Sequence, residues 1–264
     1  MQQLVEKNME YPFEHKGHKV YPNTFLENTS VSMFAPDGKC SYDETFDQRF
    51  ATAIERDFQI QPDSQKFKES GILCVEDDEH IVSYLFYPNQ ARLRVGRKKY
   101  ISFNESVVPM LVPMKNFIFN VMEYKAVEKM LVRKLNVFPI KGDSDDEIIE
   151  NLETAYNFMF KDDLIKQAKD VAIPETAPWI LSLRRAKLGD DESEMTVRIA
   201  VSKAKTEKMY NVILDTSVKQ RDAGEIEEGA VDRKLRDLND KLYDAFLWSV
   251  NDDIVALMEG EVKK

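Results

Sequence analysis

The spacing of hydrophobic residues changes along the first half of the chain, and each change predicts a new element. Residues 25–35 (FLENTSVSMFA) are rich in aromatic and β-branched residues and stop at the turn signal Pro36-Asp37-Gly38, so they predict a strand. Ser41 and Glu44 then have the spacing of a capping box. Apolar residues follow at helical spacing and predict a helix, at Phe46, Phe50, Ala53, Ile54 and Phe58.

In the middle of the chain the hydrophobic residues first alternate with a period of two, and farther along they return to helical spacing. Turn residues separate four short β-like runs, at 71–75, 81–87, 91–95 and 98–102, which is typical of an antiparallel meander. Residues 103–123 predict a helix with Pro109 in its first turn. Because proline lacks the amide hydrogen of a helix interior, Pro113 requires that this helix kink or begin late.

The second half starts after residues 141–146 (KGDSDD), the predicted boundary. Ser144 and Glu147 form a second capping box, which opens a helix to about residue 169. Strands are predicted at 177–188, 197–201 and 209–218, and residues 219–229 as a polar loop. One long terminal helix then carries an apolar stripe formed by Val231, Leu235, Leu238, Leu242, Ala245, Phe246, Ser249, Ile254 and Leu257.

Both halves place a long helix after a set of strands. This order predicts an α+β fold of two halves, each an antiparallel sheet covered by long helices. The first half is 1–142, with 1–24 as an arm or loop, and the second is 143–264. No residue-level repeat is visible, which excludes solenoids and propellers.

Residues 128–140 (EKMLVRKLNVFPI) fit two kinds of element. Val127, Leu131, Leu135 and Phe138 would line one face of a helix. The same residues could form a strand, although the basic side chains at 129, 133 and 134 leave neither strand face fully apolar. Periodicity alone leaves both interpretations open.

Composition narrows the class of protein. The chain has 264 residues, of which 43% are hydrophobic, so it can bury a core. Its formal net charge of −10 opposes broad binding to nucleic acid or to anionic membrane. The first residues contain acids and no apolar segment of the kind found in signal peptides, and no apolar run has membrane-spanning length. We therefore expect a cytoplasmic protein without a membrane partner.

Residues that could carry chemistry are few. His15 and His18 lie in a segment with Gly17 and Pro22, which favours a surface loop over a metal site, and His80 lies in an acidic turn. No phosphate-binding glycine motif, nucleophile elbow or zinc spacing is present, so we expect no cofactor, no metal and no named enzyme mechanism.

One basic stretch stands out from the acidic background. Residues 91–101 contain five positive charges and no acid: Arg92, Arg94, Arg97, Lys98 and Lys99. One hypothesis is a docking patch for phosphate, nucleic acid or an acidic protein surface. The alternative is a solvated strand face whose charges discourage edge-to-edge pairing.

The chain resembles the "sporadically distributed" family of uncharacterised bacterial proteins over nearly its full length. The segments that carry the resemblance are 22–34 (PNTFLENTSVSMF), 129–136 (KMLVRKLN), Leu214-Asp215 and 246–254 (FLWSVNDDI). Lys129, Leu131 and Lys134 depart from the family's residues. The resemblance implies that 129–136 is a strand, that the matching polar positions are Arg133, Asn136 and Asp215, and that the protein is accessory, as in phage defence or mobile elements.

These observations predict a non-catalytic, protein-binding accessory protein of a bacterial system. Its partner would be another protein or complex, with nucleic acid reached only through the basic stretch. A small-ligand or nucleotide sensor with a cavity between sheet and helix is the alternative. An unrecognised nuclease or hydrolase is a second alternative, which would need clustered acids or a histidine in a cleft.

Overall fold

The computed structural model describes residues 13–15, 17–22, 24–35, 41–59, 63–141, 144, 147, 159–161, 181–188, 193–203, 209–225 and 228–260. The chain forms two compact units. The terminal unit comprises Met1–Phe25, Leu135–Val218 and Asp240–Lys264, and the central unit comprises Leu26–Lys134 and Lys219–Asn239. The halves 1–142 and 143–264 stay a prediction.

The described residues form strands and helices in the mixed order that was predicted, so the α+β class is confirmed. Hydrogen bonds join the strands in the order β2-β3-β4-β1-β5-β8-β7-β6. The strands are β1 (Leu26–Phe34), β2 (Leu73–Glu76), β3 (Val82–Tyr87), β4 (Gln90–Gly96), β5 (Ala126–Lys141), β6 (Leu181–Leu188), β7 (Ser193–Lys203) and β8 (Met209–Glu225). The helices are α1 (Phe46–Phe58), α2 (Ser64–Ser70), α3 (Leu111–Asn120), α4 (Glu228–Ser249) and α5 (Asp252–Glu259).

Strands β2, β3 and β4 of the central unit pair antiparallel, as the meander predicts, and β1 pairs antiparallel with β4, a pairing that was not predicted. Their apolar residues alternate toward one face, where Val31 pairs with Leu93 and Leu93 with Tyr84. Helices α1, α2 and α3 cover that face through a cluster of aromatic rings. In this cluster the ring of Phe86 lies 4.2 Å from that of Phe117, and Phe50, Phe67 and Phe46 complete it.

The segment between β4 and α3 differs from the prediction. The strand predicted at 98–102 is wrong, because Arg97–Lys99 form a 3₁₀ turn closed by the amide of Tyr100 on the carbonyl of Arg97 at 3.2 Å. A π-helical turn, Phe103–Val107, follows. Helix α3 begins only at Leu111, which places Pro113 in the first turn, where its missing amide hydrogen costs no helical bond.

Strand β5 resolves the ambiguity at residues 128–140 in favour of a strand. Met130, Val132, Asn136 and Phe138 are buried on one face. Arg133 is exposed on the other face. The alternation that the basic residues obscured in the sequence is therefore present.

The described part of the terminal unit contains the antiparallel pair of β6 and β7, in which Leu183 pairs with Val197 and Leu181 with Ile199. Of the predicted helix from Ser144 to about residue 169, the structure describes only residues 144, 147 and 159–161, and residues 177–180 of the predicted strand 177–188 also lie outside the described residues. At the second capping box, the Ser144 hydroxyl accepts from the Glu147 amide at 3.1 Å. The first capping box is wrong: α1 begins at Phe46, and Asp43, not Ser41, accepts the Thr45 amide at 2.9 Å.

Two further boundaries correct the sequence predictions. Strand β8 runs to Glu225, so most of the predicted loop 219–229 is strand. The single terminal helix is broken after Ser249, where the Asn251 amide donates to Met159 and its side chain to Phe160. The break shifts the buried face of α5, so Leu257 is 40% exposed and Met258 is buried instead.

No helix among the described residues combines the length and apolarity needed to cross a membrane.

Candidate docking surface

The five basic residues of the predicted patch lie on strand β4 and on the 3₁₀ turn that follows it. Strand alternation directs Ala91, Leu93 and Val95 into the core, where each is fully buried. It leaves Arg92 and Arg94 exposed on the opposite face. We call the exposed set Arg92, Arg94, Arg97, Lys98 and Lys99 the basic surface.

Three of the four cross-strand neighbours of the two strand arginines are serines, and the fourth is Leu85 on β3, opposite Arg92. Arg94 lies opposite Ser30 on β1 and Ser83 on β3, and Arg92 lies opposite Ser32. The Arg92 Nε donates to the Ser32 Oγ at 3.3 Å, which occupies one of its donors. Because serine is too short to cover a guanidinium group, the remaining donors are available for a planar acceptor such as a carboxylate or phosphate.

The two lysines of the turn are paired within the central unit. Lys98 Nζ lies 3.3 Å from a carboxylate oxygen of Glu79, and Lys99 Nζ lies 4.0 Å from one of Asp77. Partial burial alone would raise the pKa of Asp77. The amides of Val82 and Ile81 that donate to it, together with the charge of Lys99, outweigh that effect and lower its pKa. These lysines are therefore partly neutralised.

The three arginines of the basic surface, unlike the two lysines, are not paired with carboxylates among the described residues. Within the part of the chain that the structure describes, no carboxylate lies within 4.0 Å of Arg92, Arg94 or Arg97. All three side chains are exposed. The basic surface thus retains uncompensated positive charge in a chain whose formal net charge is −10.

Strand β5 carries further basic residues that the sequence did not assign to this surface. Lys129 Nζ lies 4.3 Å from the centre of the Phe34 ring, and Lys134 Nζ lies 5.7 Å from that of Tyr100. Both are cation–π contacts within the central unit. No sequence signal predicts the two aromatic partners, because they lie on other elements far away along the chain.

The polar positions matched to the family are placed in different environments. Arg133 is exposed and Asn136 is buried, and they point to opposite faces of β5, as their odd and even numbering predicts. Asp215 is half-buried on β8. Arg133 and Asn136 therefore do not form one polar site.

Each histidine has a carboxylate neighbour. His15 Nδ1 lies 2.6 Å from Asp244, and His18 Nε2 lies 2.7 Å from Asp240, both on helix α4. His80 lies in the β2–β3 turn with a positive φ of 54°, 2.6 Å from Glu76. No group of three or more metal-ligating side chains is found among the described residues.

A small pocket of about 220 Å³ in the terminal unit is lined by residues of segment 17–21 and of helices α4 and α5. Lys19 and Glu259 form an ion pair of 2.5 Å in its wall, and the hydroxyls of Tyr21 and Tyr243 lie 3.0 Å apart. Burial, followed by the hydrogen bond to Tyr243, raises the pKa of Tyr21. Small-molecule sites usually measure roughly 300–1,000 Å³, so this pocket does not favour the sensor alternative.

Comparisons with known proteins assign no family. No family model matches the chain, and no curated protein matches it. Among solved structures the chain is similar to one described as "Methanococcus jannaschii TBP", at 13% identity and a TM-score of 0.25. That alignment covers 84% of this chain and 99% of the other. Neither fold nor function is carried over from it.

Proposed function

We propose that the protein is a non-catalytic binding protein whose basic surface docks an acidic surface of another protein. The observation that carries the proposal is the set of exposed arginines, Arg92, Arg94 and Arg97, which have no carboxylate neighbour among the described residues. Guanidinium groups bind carboxylates in a planar, two-pronged geometry, which gives both affinity and orientation.

An acidic protein surface is favoured over nucleic acid by the charge of the whole chain. A nucleic acid strand extends beyond a local patch and would meet the field of 47 acidic residues. A partner protein can confine its acids to the area that the basic surface covers. Local charge complementarity then sets the orientation and speeds association.

Recovery of a partner from a bacterial lysate tests this proposal. The tagged protein with Arg92, Arg94, Arg97, Lys98 and Lys99 all changed to Glu should lose the partner that the wild type recovers. A charge-matched control changes five exposed basic residues elsewhere to Glu, namely Lys66, Lys125, Arg198, Arg233 and Arg236. The control should keep the partner. Equal recovery of the partner by the wild type and by the basic-surface variant would contradict the proposal.

The cellular setting is proposed from the family resemblance. An accessory role in a bacterial system, such as phage defence or a mobile element, predicts that the neighbouring genes encode the partner. Conserved neighbours of unrelated function would count against it.

The organisation into two halves, each with long helices on its sheet, belongs to the same proposal. It predicts that residues 1–142 and 143–264 show separate opening transitions in hydrogen exchange.

A further inference from the structure

An apolar side chain is exposed two residues after the last member of the basic surface. Ile101 is 62% exposed, the largest exposed fraction among the large hydrophobic side chains that the structure describes. It follows the 3₁₀ turn by two residues, in the sequence RKKYI at 97–101. A single exposed isoleucine is ordinary in proteins. Whether Ile101 has a binding role therefore depends on how its backbone is constrained and on which residues surround it.

The backbone on both sides of Ile101 is fixed. Its own amide donates to the Ser106 Oγ at 2.7 Å. Before it, the Tyr100 amide closes the 3₁₀ turn on Arg97. After it, the Ser102 hydroxyl accepts the Glu105 amide at 3.1 Å and caps the π-helical turn. Ile101 is thus presented by a preorganised loop, which reduces the conformational entropy that a partner would have to offset on binding.

The backbone turn keeps Ile101 close to Arg97 of the basic surface. The hydrogen bond from Tyr100 to Arg97 makes a turn, which brings the Cα atoms of Arg97 and Ile101 to within about 11 Å. Arg97 has no carboxylate neighbour among the described residues, whereas Lys98 and Lys99 pair with Glu79 and Asp77. An exposed apolar group beside an uncompensated cation is the arrangement of an interface anchor with a charged rim.

We infer that the partner docks through an acidic segment that carries a large apolar side chain next to its carboxylates. The apolar side chain packs on Ile101, and the neighbouring carboxylates bind Arg97 and the strand arginines Arg92 and Arg94. This inference rests on the proposed function and specifies its partner. A nucleic acid strand fits less well, because the nearest ring, Tyr100, is half-buried and lies against Lys134 instead of standing free to stack on a base.

Fluorescence anisotropy with three labelled probes tests the chemistry of the partner. The probes are a short synthetic peptide of alternating Glu and Leu, the same peptide with Ser in place of Leu, and a single-stranded dT oligonucleotide. The Glu–Leu peptide should bind about tenfold more tightly than the Glu–Ser peptide, since burial of one aliphatic side chain accounts for such a factor. It should also bind more tightly than the oligonucleotide. Equal binding of the two peptides, preference for the oligonucleotide, or no binding of any probe overturns the inference.

Ile101→Ser separates this inference from the proposed function. The variant should lose the tenfold preference for the Glu–Leu peptide and should recover much less partner from lysate, with an unchanged melting temperature. Val112→Ser is the matched control, because Val112 is 48% exposed, lies on helix α3 of the same unit and is not a member of the basic surface. If the five-residue charge reversal loses the partner while Ile101→Ser keeps it, the proposed function stands and the inference fails. If neither variant loses the partner, both fail.

Discussion

Tyr84 on β3 is an ionisable side chain on which burial and a neighbouring charge act in the same direction. It is 8% exposed, its hydroxyl donates to the carbonyl of Met110 at 3.1 Å, and its ring packs edge-on against Phe58 at 4.9 Å. Burial, followed by the negative charge of Asp77, raises the pKa of Tyr84 from 10.0 to about 12. The folded protein therefore holds the phenol proton more tightly than the unfolded chain does.

This difference makes stability fall at alkaline pH. The contribution of the raised Tyr84 pKa to the free energy of unfolding is fully present below pH 10. It is lost as pH rises from 10 toward 12, because the unfolded chain releases the proton first. Urea unfolding should show Tyr84→Phe less stable than wild type by about 1 kcal/mol at pH 7, through the lost hydrogen bond. Above pH 10 the gap should close and then reverse, changing by up to about 2.7 kcal/mol as pH rises through about 12. A constant gap across this pH range would contradict the assignment.

For individual residues, the sequence predicted which face of the sheet a side chain occupies wherever a strand alternates with a period of two. Arg92 and Arg94 on one face of β4, and Asn136 buried opposite Arg133, follow from position numbers alone. The exposure of Ile101 was not predictable in this way. Ile101 lies outside any strand, between the 3₁₀ turn and the π-helical turn, where no period of two applies, and nothing in the local sequence signals its hydrogen bond to Ser106.

Among the elements, α2 has well-defined ends, and the residue that follows its last turn, Gly71, gives a direct test. Gly71 has a left-handed φ of +66°, and its amide donates to the carbonyl of Phe67 at 2.8 Å. A Cβ atom at this position would lie 3.3 Å from the Pro88 Cγ. Because L-residues adopt this conformation at a cost and the added methyl group meets a proline ring, Gly71→Ala should lower the free energy of unfolding by about 1–2 kcal/mol.

Gly17 is the matched control for this substitution. A Cβ atom at Gly17 would meet no atom within 4 Å, and no left-handed φ is required there. Gly17→Ala should therefore change the free energy of unfolding by no more than about 0.5 kcal/mol. Both variants can be compared with the wild type by urea titration. A Gly71→Ala protein as stable as Gly17→Ala would show that the α2 C-terminus is not constrained as described.

The types of the regularly patterned elements were predictable from the sequence, whereas α2, the 3₁₀ turn at Arg97–Lys99 and several boundaries were not. Helix α1 and strands β3 and β4 have enough regularly spaced apolar residues for the period to identify them. The end of α4 is decided by Asn251, whose bonds to Met159 and Phe160 come from a segment about 90 residues earlier in the chain. The continuation of β8 through 219–225 is likewise fixed by strand pairing, which overrides the polar local sequence.

For the whole molecule, the basic surface and the acidic background act on a partner over different ranges. The net charge of −10 repels an approaching acidic protein at long range, whereas the arginines attract its carboxylates only near contact. The Debye length is about 30 Å at 0.01 M salt, about 10 Å at 0.1 M and about 3 Å at 1 M. Salt at moderate concentration therefore screens the distant repulsion more than the contact attraction.

Partner binding should accordingly pass through a maximum as salt is raised. Recovery of the partner, or the affinity for the Glu–Leu peptide, should increase from about 0.01 M to about 0.1 M salt and decrease toward 1 M. The charge-matched control variant supplies the internal check. Each reversal removes two units of charge, so the control carries −20 instead of −10 with an intact basic surface. Its maximum should move to higher salt, because more screening is needed to suppress the larger repulsion. A steady decrease with salt in both proteins would show that the arginines alone, and not the balance of the whole charge distribution, govern association.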